Sequence, residues 1–350
     1  MKSKFTFLAA IVLVYVINLF SASIDPYFYT ILIYIGINII LATSLNLING
    51  FTGQFSLGHA GFMAIGGYLA IAMSTYYAPF FYGIFGDNDF GHNMTFFCVI
   101  IAGGLAAAVA GLIVGVPSLR LKGDYLAITT LGFSEIIRVF IQNMNVIGAS
   151  QGYRGVYIYQ NGFKDIQAHD EITNIPFNFY GVQKFTNFFW VFLFVSIIVY
   201  FIYNLINSTY GRGFLSVKDD EVAAESMGIN TTKFKVSAFI SGAFFAGVAG
   251  ALYGHFNQYL NPEDFNFLRS VEIVVMVILG GMGSIPGVII AAVVLTILPE
   301  LLRGVSEYRM IIYSLLLIIM MLTRPQGLFG IRNPLSKKTK SNKVKADIEP

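Results

Sequence analysis

The sequence predicts an all-α polytopic membrane protein of about ten transmembrane helices, and three observations support this fold class. The first is charge: the 350 residues include 22 basic and 19 acidic side chains, or 12% of the chain, against about 25% in soluble proteins. The second is a hydrophobic fraction of 56% with a mean hydropathy of +0.68. This composition cannot supply the charged surface of a soluble globule, and it excludes a disordered chain or a nucleic-acid-binding domain. The single Cys98 excludes an intrachain disulfide scaffold.

The third observation is a series of ten apolar runs that could cross a bilayer. A helix needs about 20 residues to span a hydrocarbon core about 30 Å thick. The runs cover residues 5–20, 29–48, 55–75, 94–116, 125–142, 188–206, 236–256, 268–280, 287–302 and 308–322. The eighth and ninth are short and flank the glycine-rich stretch 280–286, so they are either two spans or two half-helices. Both alternatives leave an even number of crossings.

The distribution of basic residues predicts the orientation. With an even number of crossings both termini share a side, and most Lys and Arg residues then fall on that side. Because basic loops favour the cytoplasm, we expect both termini inside. Residues 1–330 should form the transmembrane domain, and residues 331–350 a basic tail. This tail is either a solvated end without a role, which we favour, or lies near anionic lipid headgroups. The alternative for the N-terminal run, which follows Lys2 and Lys4, is a cleaved signal peptide.

Two features of the predicted bundle concern its packing and its outer side. Small residues recur at every fourth position in two runs, and they predict close helix packing rather than a pore. These residues are Gly103, Ala107, Gly111 and Gly115, and Gly242, Ala246, Gly250 and Gly254. The outward segment 144–187 is too polar to be a span and too short to be a domain, and it is either a cap over the outer mouth or a spacer.

A polar, glycine-rich interruption separates the second run from the third. It contains Asn46, Gly53, Gln54 and His59. Irregular backbone at membrane depth is tolerated where it is buried in protein or lines a cavity, and in transporters it often marks a substrate site. The alternative is a tight cytoplasmic turn that ends near His59. We expect no metal site, because histidines at 59, 92, 169 and 255 lack ligand spacing.

Two further interruptions are candidates for the translocation pathway or a hinge. Glu135 and Arg138 lie three residues apart in the fifth run, so each can neutralise the other on one helix face. Ionisable residues inside a span are functional candidates, although a structural pair that locks two helices is an equal alternative. Gly281 and Gly283 predict a bend between the eighth and ninth runs, with a role in gating left open.

The inward loop 207–235 is the most charged connection in the chain. Residues 216–228 predict a short helix in which Asp219 or Asp220 caps the N-terminus and Gly228 ends the helix. Val222 and Met227 belong to a small, partly apolar face on this helix. Such a helix either lies in a groove of a partner protein or is a surface helix without a partner.

Several segments, in order, resemble the membrane-spanning permease of bacterial branched-chain amino acid ABC importers, the LivM type. They are LNL at 45–47, GQFSLGHA at 53–60, LRLKGDYLAI at 119–128, TLGF at 130–133 followed by Glu135, GGMGS at 280–284, LPEL at 298–301 and RPQGL at 324–328. The resemblance covers roughly residues 35 to 330. It implies a non-catalytic permease subunit of the inner membrane that binds no cofactor.

The resemblance also implies a set of partners and a contact helix. The partners are a homologous second permease of the LivH type, two ATP-binding subunits and an extracytoplasmic substrate-binding protein. The 207–235 loop would carry the coupling helix that contacts the ATPase. Its residues are Asp219, Asp220, Glu221, Val222, Ala223, Ala224, Met227 and Gly228. The chain departs from the family pattern in one respect, since Val222 precedes the alanine pair and the glutamate stands one place earlier.

Two other functions fit parts of the same sequence. An ion-coupled secondary amino acid transporter would use Glu135 and Arg138 as a relay, and a channel or permease for urea or another small polar solute would need no ATP. Against an intrinsic ATPase, the sequence lacks the Gly-x-x-x-x-Gly-Lys-[Ser/Thr] loop that cradles nucleotide phosphates.

Overall fold

The computed structural model describes residues 24–86, 88–119, 123–159, 162–164 and 177–302, with isolated residues 12, 14–18, 121, 314, 315 and 318. Within that part of the chain the long elements are α-helices. They are α1 (Pro26–Asn46), α2 (His59–Tyr76), α3 (Ala78–Phe85), α4 (Asp89–Ser118), α5 (Asp124–Gln142), α6 (Phe188–Ile206), α7 (Thr209–Asp219), α8 (Glu221–Ser226), α9 (Thr231–Asn257), α10 (Phe267–Gly280) and α11 (Ile285–Leu301).

These helices confirm the predicted polytopic helical fold. The second to ninth apolar runs each coincide with a helix, whereas the first and tenth runs and the 331–350 tail lie mostly or wholly outside the described residues. Four described segments are long and apolar enough to cross a membrane on their own. They are Pro26–Phe51, Asp89–Ser118, Phe188–Ile206 and Thr231–Asn257.

The segment after α5 contains short 3₁₀ turns and a small antiparallel sheet. Strands β1 (Gly155–Tyr159), β2 (Gly162–Lys164) and β3 (Phe177–Gly181) pair in the order β2-β1-β3. The backbone of Tyr153, just before β1, pairs with Leu260 after α9 through N–H···O distances of 2.8 and 3.2 Å. The sequence did not predict these strands, and the pairing shows that the start of this segment is docked on the bundle.

Small residues let α2, α4 and α9 approach closely, as the four-residue repeats predict. A methyl group added to Gly103 would come within 2.6 Å of the Gly66 carbonyl oxygen, and one added to Gly111 within 2.6 Å of the Ala243 methyl. One added to Gly250 would overlap the Met63 carbonyl oxygen. The repeats are therefore helix-packing surfaces, since backbones here lie too close for any side chain.

The long helices α1, α2, α4, α5, α6 and α9 alternate in direction, so the bundle has two ends. We call the end that carries α7 and α8 the loop end, and the end that carries the sheet the sheet end. The short α10 has its first turn beside the middle of α1, where Arg269 donates to Asn38 Oδ1 at 2.8 Å. The following α11 runs back along α1 as far as Glu300, which accepts from the Tyr27 hydroxyl at 2.5 Å. Thus α11 covers the length of α1, whereas the 14 residues of α10 span about 21 Å and form a partial crossing.

Candidate functional site

The interruption after α1 is a buried re-entrant segment and not a tight turn. Leu47–Phe51 forms a π-helical turn, a rare conformation that is frequent at functional sites. The chain then runs without helical structure from Thr52 to Gly58, and α2 begins only at His59, whose Nε2 lies 2.8 Å from the Ser44 hydroxyl inside the bundle. Irregular backbone therefore extends into the bundle from the loop end.

In this segment, side chains form hydrogen bonds with backbone groups that a helix would otherwise pair. Asn49 pairs with Ser56 twice, accepting its N–H at 3.2 Å and donating to its carbonyl at 3.4 Å. The Leu57 N–H donates to Thr130 Oγ1 on α5 at 3.1 Å. Because unpaired backbone groups are costly inside a membrane protein, these contacts explain why the polar residues stand here.

Three of the predicted pathway residues carry buried polar atoms without partners. Among the described residues, neither amide atom of the Gln54 side chain has a hydrogen-bond partner, and the same holds for Asn46 Nδ2 and His59 Nδ1. These three side chains are at most 4% exposed. Buried polar groups are normally paired, so this concentration within one short segment is typical of a site that binds a polar group or changes its pairing.

The second interruption meets the first directly. Gly281 and Gly283 have φ values of +95° and +90°, which glycine adopts readily, and they form the turn between α10 and α11 that the sequence predicts. The Gly283 N–H donates to Asn46 Oδ1 at 2.9 Å. Two of the three sequence-predicted interruptions therefore form one junction, although they are more than 230 residues apart in the chain.

A residue that the sequence analysis did not single out completes this junction. Lys218, at the end of α7, donates from its Nζ to the Gly50 carbonyl oxygen at 2.6 Å. Its side-chain stem lies against Gly53, where an added methyl would be 3.3 Å from Lys218 Cγ. We call Asn46, Gly50, Lys218 and Gly283 the loop-end junction. The one sequence signal for Lys218 is its basic side chain in a charged loop. That signal does not single it out, because the same loop has several other basic residues.

The predicted 216–228 helix is two helices that meet at Asp220. Residues up to Asp219 belong to α7, and the chain becomes extended at Asp220 (φ −158°, ψ 112°) before α8 begins. Asp220 caps α8 by accepting the Val222 and Ala223 N–H groups at 2.9 and 3.0 Å. The prediction of Asp220 as the cap is therefore confirmed, whereas Asp219 ends the previous helix and caps nothing, because its position falls before the break.

The C-terminal end of α8 has the predicted glycine stop. Gly228 has a φ of +82°, and the Ile229 N–H reaches back to the Ala224 carbonyl at 3.0 Å, the pattern of a left-handed helix end. On the outer surface of α8, Val222 is 67% and Met227 is 83% exposed, and Ala223 is exposed beside them. Ala224, at 4%, instead faces the protein. The apolar outer surface thus consists of Val222, Ala223 and Met227.

Ionic and polar contacts fix α8 to the start of α9. Lys235 pairs with Glu221 at 2.6 Å, and the Thr231 hydroxyl donates to Glu225 at 2.7 Å. The Lys235 side chain is 11% exposed. These two contacts hold α8 against the start of α9 and leave its apolar surface exposed.

The third sequence-predicted interruption lies apart from the loop-end junction. Arg138 pairs with Glu135 at 2.8 Å, as the sequence predicts, and also with Glu263 at 3.0 Å. Glu263 accepts from Gln142 at 2.6 Å as well, so the network joins α5 to the 3₁₀ turn Pro262–Phe265 toward the sheet end.

The part of the chain that the structure describes holds no group of three or more His, Cys, Asp or Glu residues suited to a metal ion.

Comparison with known proteins shows the family of the chain. Residues 27–322 match the family model described as the branched-chain amino acid transport system permease component. The chain belongs to this family. The match covers the helices α1 to α11, and so it includes both backbone interruptions, the loop with α7 and α8, and the loop-end junction.

Individual relatives in this permease family agree with the match. The chain is 34% identical over 321 residues to the high-affinity branched-chain amino acid transport system permease protein LivM of Salmonella typhimurium, covering 89% of this chain and 72% of the relative. It is 35% identical over 311 residues to LivM of Escherichia coli, covering 86% and 69%. A shorter stretch of 143 residues is 32% identical to LivH of Escherichia coli, covering 40% and 46%. No solved structure matches the chain.

Proposed function

We propose that this chain is a permease subunit of an ATP-driven importer that carries branched-chain amino acids across a bacterial inner membrane. The observation that carries the proposal is the family match over residues 27–322. Two relatives that align along most of their length are named as branched-chain amino acid permeases. Both termini would be cytoplasmic, with the loop end inside.

The subunit would work with partner proteins, and the exposed surface of α8 supports a contact with one of them, an ATPase subunit. The similarity to LivH over 143 residues supports a homologous second permease of that type. The chain lacks a phosphate-cradling glycine loop, so two separate ATP-binding subunits would hydrolyse ATP, and an extracytoplasmic binding protein would deliver the substrate. The exposed apolar surface of α8 is a suitable contact for an ATPase subunit, because a short apolar helix face fits a groove on a partner.

The translocation pathway for the amino acid would run along the re-entrant segment. An amino acid in a low-dielectric site needs hydrogen-bonding partners for its ammonium and carboxylate groups, together with an apolar surface for its side chain. The unpaired atoms of Asn46, Gln54 and His59 can supply the polar partners. The turn at Gly281 and Gly283 packs against this segment, so a movement of one interruption must affect the other.

Uptake by the reconstituted complex tests the function. The chain would be placed in proteoliposomes with its second permease, ATPase subunits and binding protein, and uptake of leucine and of urea would be measured with ATP and with a non-hydrolysable analogue. We expect leucine uptake only with hydrolysable ATP, and no urea uptake above background. Urea uptake without ATP would favour the channel, and leucine uptake by the chain alone would exclude the importer.

A variant of the α5 ion pair separates the importer from an ion-coupled transporter. In the importer the Glu135–Arg138 pair is structural, so Glu135→Gln should change ATP-dependent leucine uptake by less than about fivefold, since partly exposed ion pairs contribute about 0–1 kcal/mol. The measurement is the initial uptake rate with and without an uncoupler. A relay would instead lose uptake in Glu135→Gln, and the wild type would be inhibited by the uncoupler.

A further inference from the structure

Lys218 bonds one interruption of the helical bundle and lies beside the other. Its Nζ lies 2.6 Å from the Gly50 carbonyl oxygen, and a methyl group built on Gly283 would be 3.4 Å from the same Nζ and 3.3 Å from the same oxygen. The Gly50 carbonyl belongs to the π-helical turn. A charged donor on a carbonyl makes a stronger bond than a neutral one, so Lys218 holds this turn in place.

Gly50 and Gly283 lie so close together that there is little room for a side chain between them. A methyl group on Gly50 would overlap Asn46 Oδ1 and the Gly283 backbone nitrogen. Asn46 is in turn bonded to the Gly283 N–H at 2.9 Å. The junction is therefore closed by direct contact of the two backbones, with the Lys218 ammonium as its only side-chain cation among the described residues.

A short connection links Lys218 to the exposed surface of α8. Lys218 is in the last turn of α7, two residues before the Asp220 cap of α8. The preceding part of α7 is anchored, since Phe214 is buried and an added methyl at Gly213 would overlap the Phe234 ring on α9. A displacement of α8 would therefore be taken up in the last turn of α7, which carries Lys218, and not in the anchored part before it.

We propose that Lys218 is the positioning residue through which α8 controls the loop-end junction. With α8 in the position seen here, the Lys218 ammonium bonds the Gly50 carbonyl and keeps the two interruptions in contact. Movement of α8 by an ATPase withdraws the ammonium and frees Asn46, Gly50 and Gly283 to separate, which opens the pathway at the loop end. This inference rests on the proposed importer function.

Substitution of the ammonium tests this role in the reconstituted complex. Lys218→Met keeps the stem but removes the donor, and we expect leucine uptake per ATP hydrolysed to fall about tenfold, as losing a hydrogen bond from a charged group shifts an equilibrium by that order. Lys218→Arg should restore most of the coupling. The matched control is Lys233→Met, an exposed lysine in the same loop, which should keep the wild-type ratio. An unchanged ratio in Lys218→Met, or equal losses in Lys218→Met and Lys218→Arg, would overturn the proposal.

A cross-link tests the movement without measuring transport. The Lys218 Cβ lies 3.6 Å from a Cβ built on Gly53, within the usual disulfide range of about 3.5–4.5 Å. In a Cys98→Ser background, Gly53→Cys with Lys218→Cys should form a disulfide readily in the nucleotide-free complex and several-fold more slowly when the ATPases are trapped with vanadate. Gly53→Ser with Lys218→Ser controls for the strained backbone at Gly53, whose φ is +70°.

The two tests distinguish failure of the inference from failure of the proposed function. A cross-linking rate that does not respond to nucleotide, when the wild-type complex takes up leucine, excludes the movement proposed for the end of α7 and leaves the importer standing. A rate that responds to nucleotide, when the wild-type complex takes up no leucine, supports that movement and shows that the substrate is wrong.

Discussion

Leucine uptake should be lost, by about thirtyfold or more, when Val222 and Met227 are both replaced by aspartate. These side chains are 67% and 83% exposed, and a hot-spot residue at an interface contributes about 2 kcal/mol or more. Two carboxylates in that contact would have to be desolvated without partners. The measurement is ATP-dependent uptake, together with the amount of ATPase subunit that co-purifies with the permease, which should fall in parallel.

The matched control for this variant is Thr232→Asp, which adds a carboxylate at an exposed position nearby, in the first turn of α9. An aspartate there suits the helix N-terminus, so uptake and co-purification should stay at the wild-type level. The double variant should also insert and purify normally, because neither side chain is buried. Wild-type co-purification by Val222→Asp with Met227→Asp would exclude α8 as the ATPase contact.

Ala224 gives a different kind of test. The resemblance places it among the coupling residues, but its side chain is 4% exposed and faces the protein. A bulky charged residue at Ala224 would displace α8 from its support at the start of α9 and remove the contact with any partner at the same time. Such a variant cannot separate docking from folding, whereas Val222 and Met227 lie on the outer surface and can.

Hydropathy and residue spacing predicted the features that depend on local chemistry. The helices follow from apolar runs whose length matches the bilayer, and the close packing follows from small residues on one helix face, such as Gly103 and Gly111. The Asp220 cap and the Gly228 stop are also local, because each depends on the backbone within three or four residues. For this reason they could be predicted from a single sequence.

The features that the sequence did not predict depend on contacts between distant segments or on weak local signals. Nothing near Lys218 in the chain indicates that its ammonium bonds Gly50, which is 168 residues away. The three strands are three to five residues long and lack the alternating pattern on which strand prediction depends. The sequence predicts one helix across Asp220, since the residues on both sides favour helix, whereas the structure ends α7 at Asp219 and starts α8 at Glu221.

The junction also explains why the glycine-rich motifs occur where they do. Gly50 and Gly283 each lack space for a methyl group or adopt a φ that disfavours one, and Asn46 joins them by one hydrogen bond. Each motif read separately is consistent with an ordinary turn. Their contact in the folded chain, near the buried and unpaired Gln54, is the observation on which the proposed change of pairing during transport depends.

Gly250→Ala should strongly destabilise the folded permease. An added methyl would overlap the Met63 carbonyl oxygen and come within 2.9 Å of the Gly67 backbone nitrogen. Both obstacles are backbone atoms of α2, so α2 and α9 must move apart, which costs more than the about 1–3 kcal/mol of ordinary overpacking. Thermal unfolding in detergent should show a clearly lower Tm and a reduced yield of monodisperse protein.

The control for Gly250 is Gly132→Ala, at a glycine within α5 whose added methyl meets no atom within 4 Å. Alanine is favoured over glycine inside a helix by about 1 kcal/mol, so this variant should match or exceed the wild-type Tm. Because both substitutions add the same methyl to a helix of the bundle, the difference between them isolates the contact between α2 and α9. Equal Tm values for the two variants would mean that α2 and α9 are not in direct backbone contact, and the helix-packing role of the four-residue repeats would then be wrong.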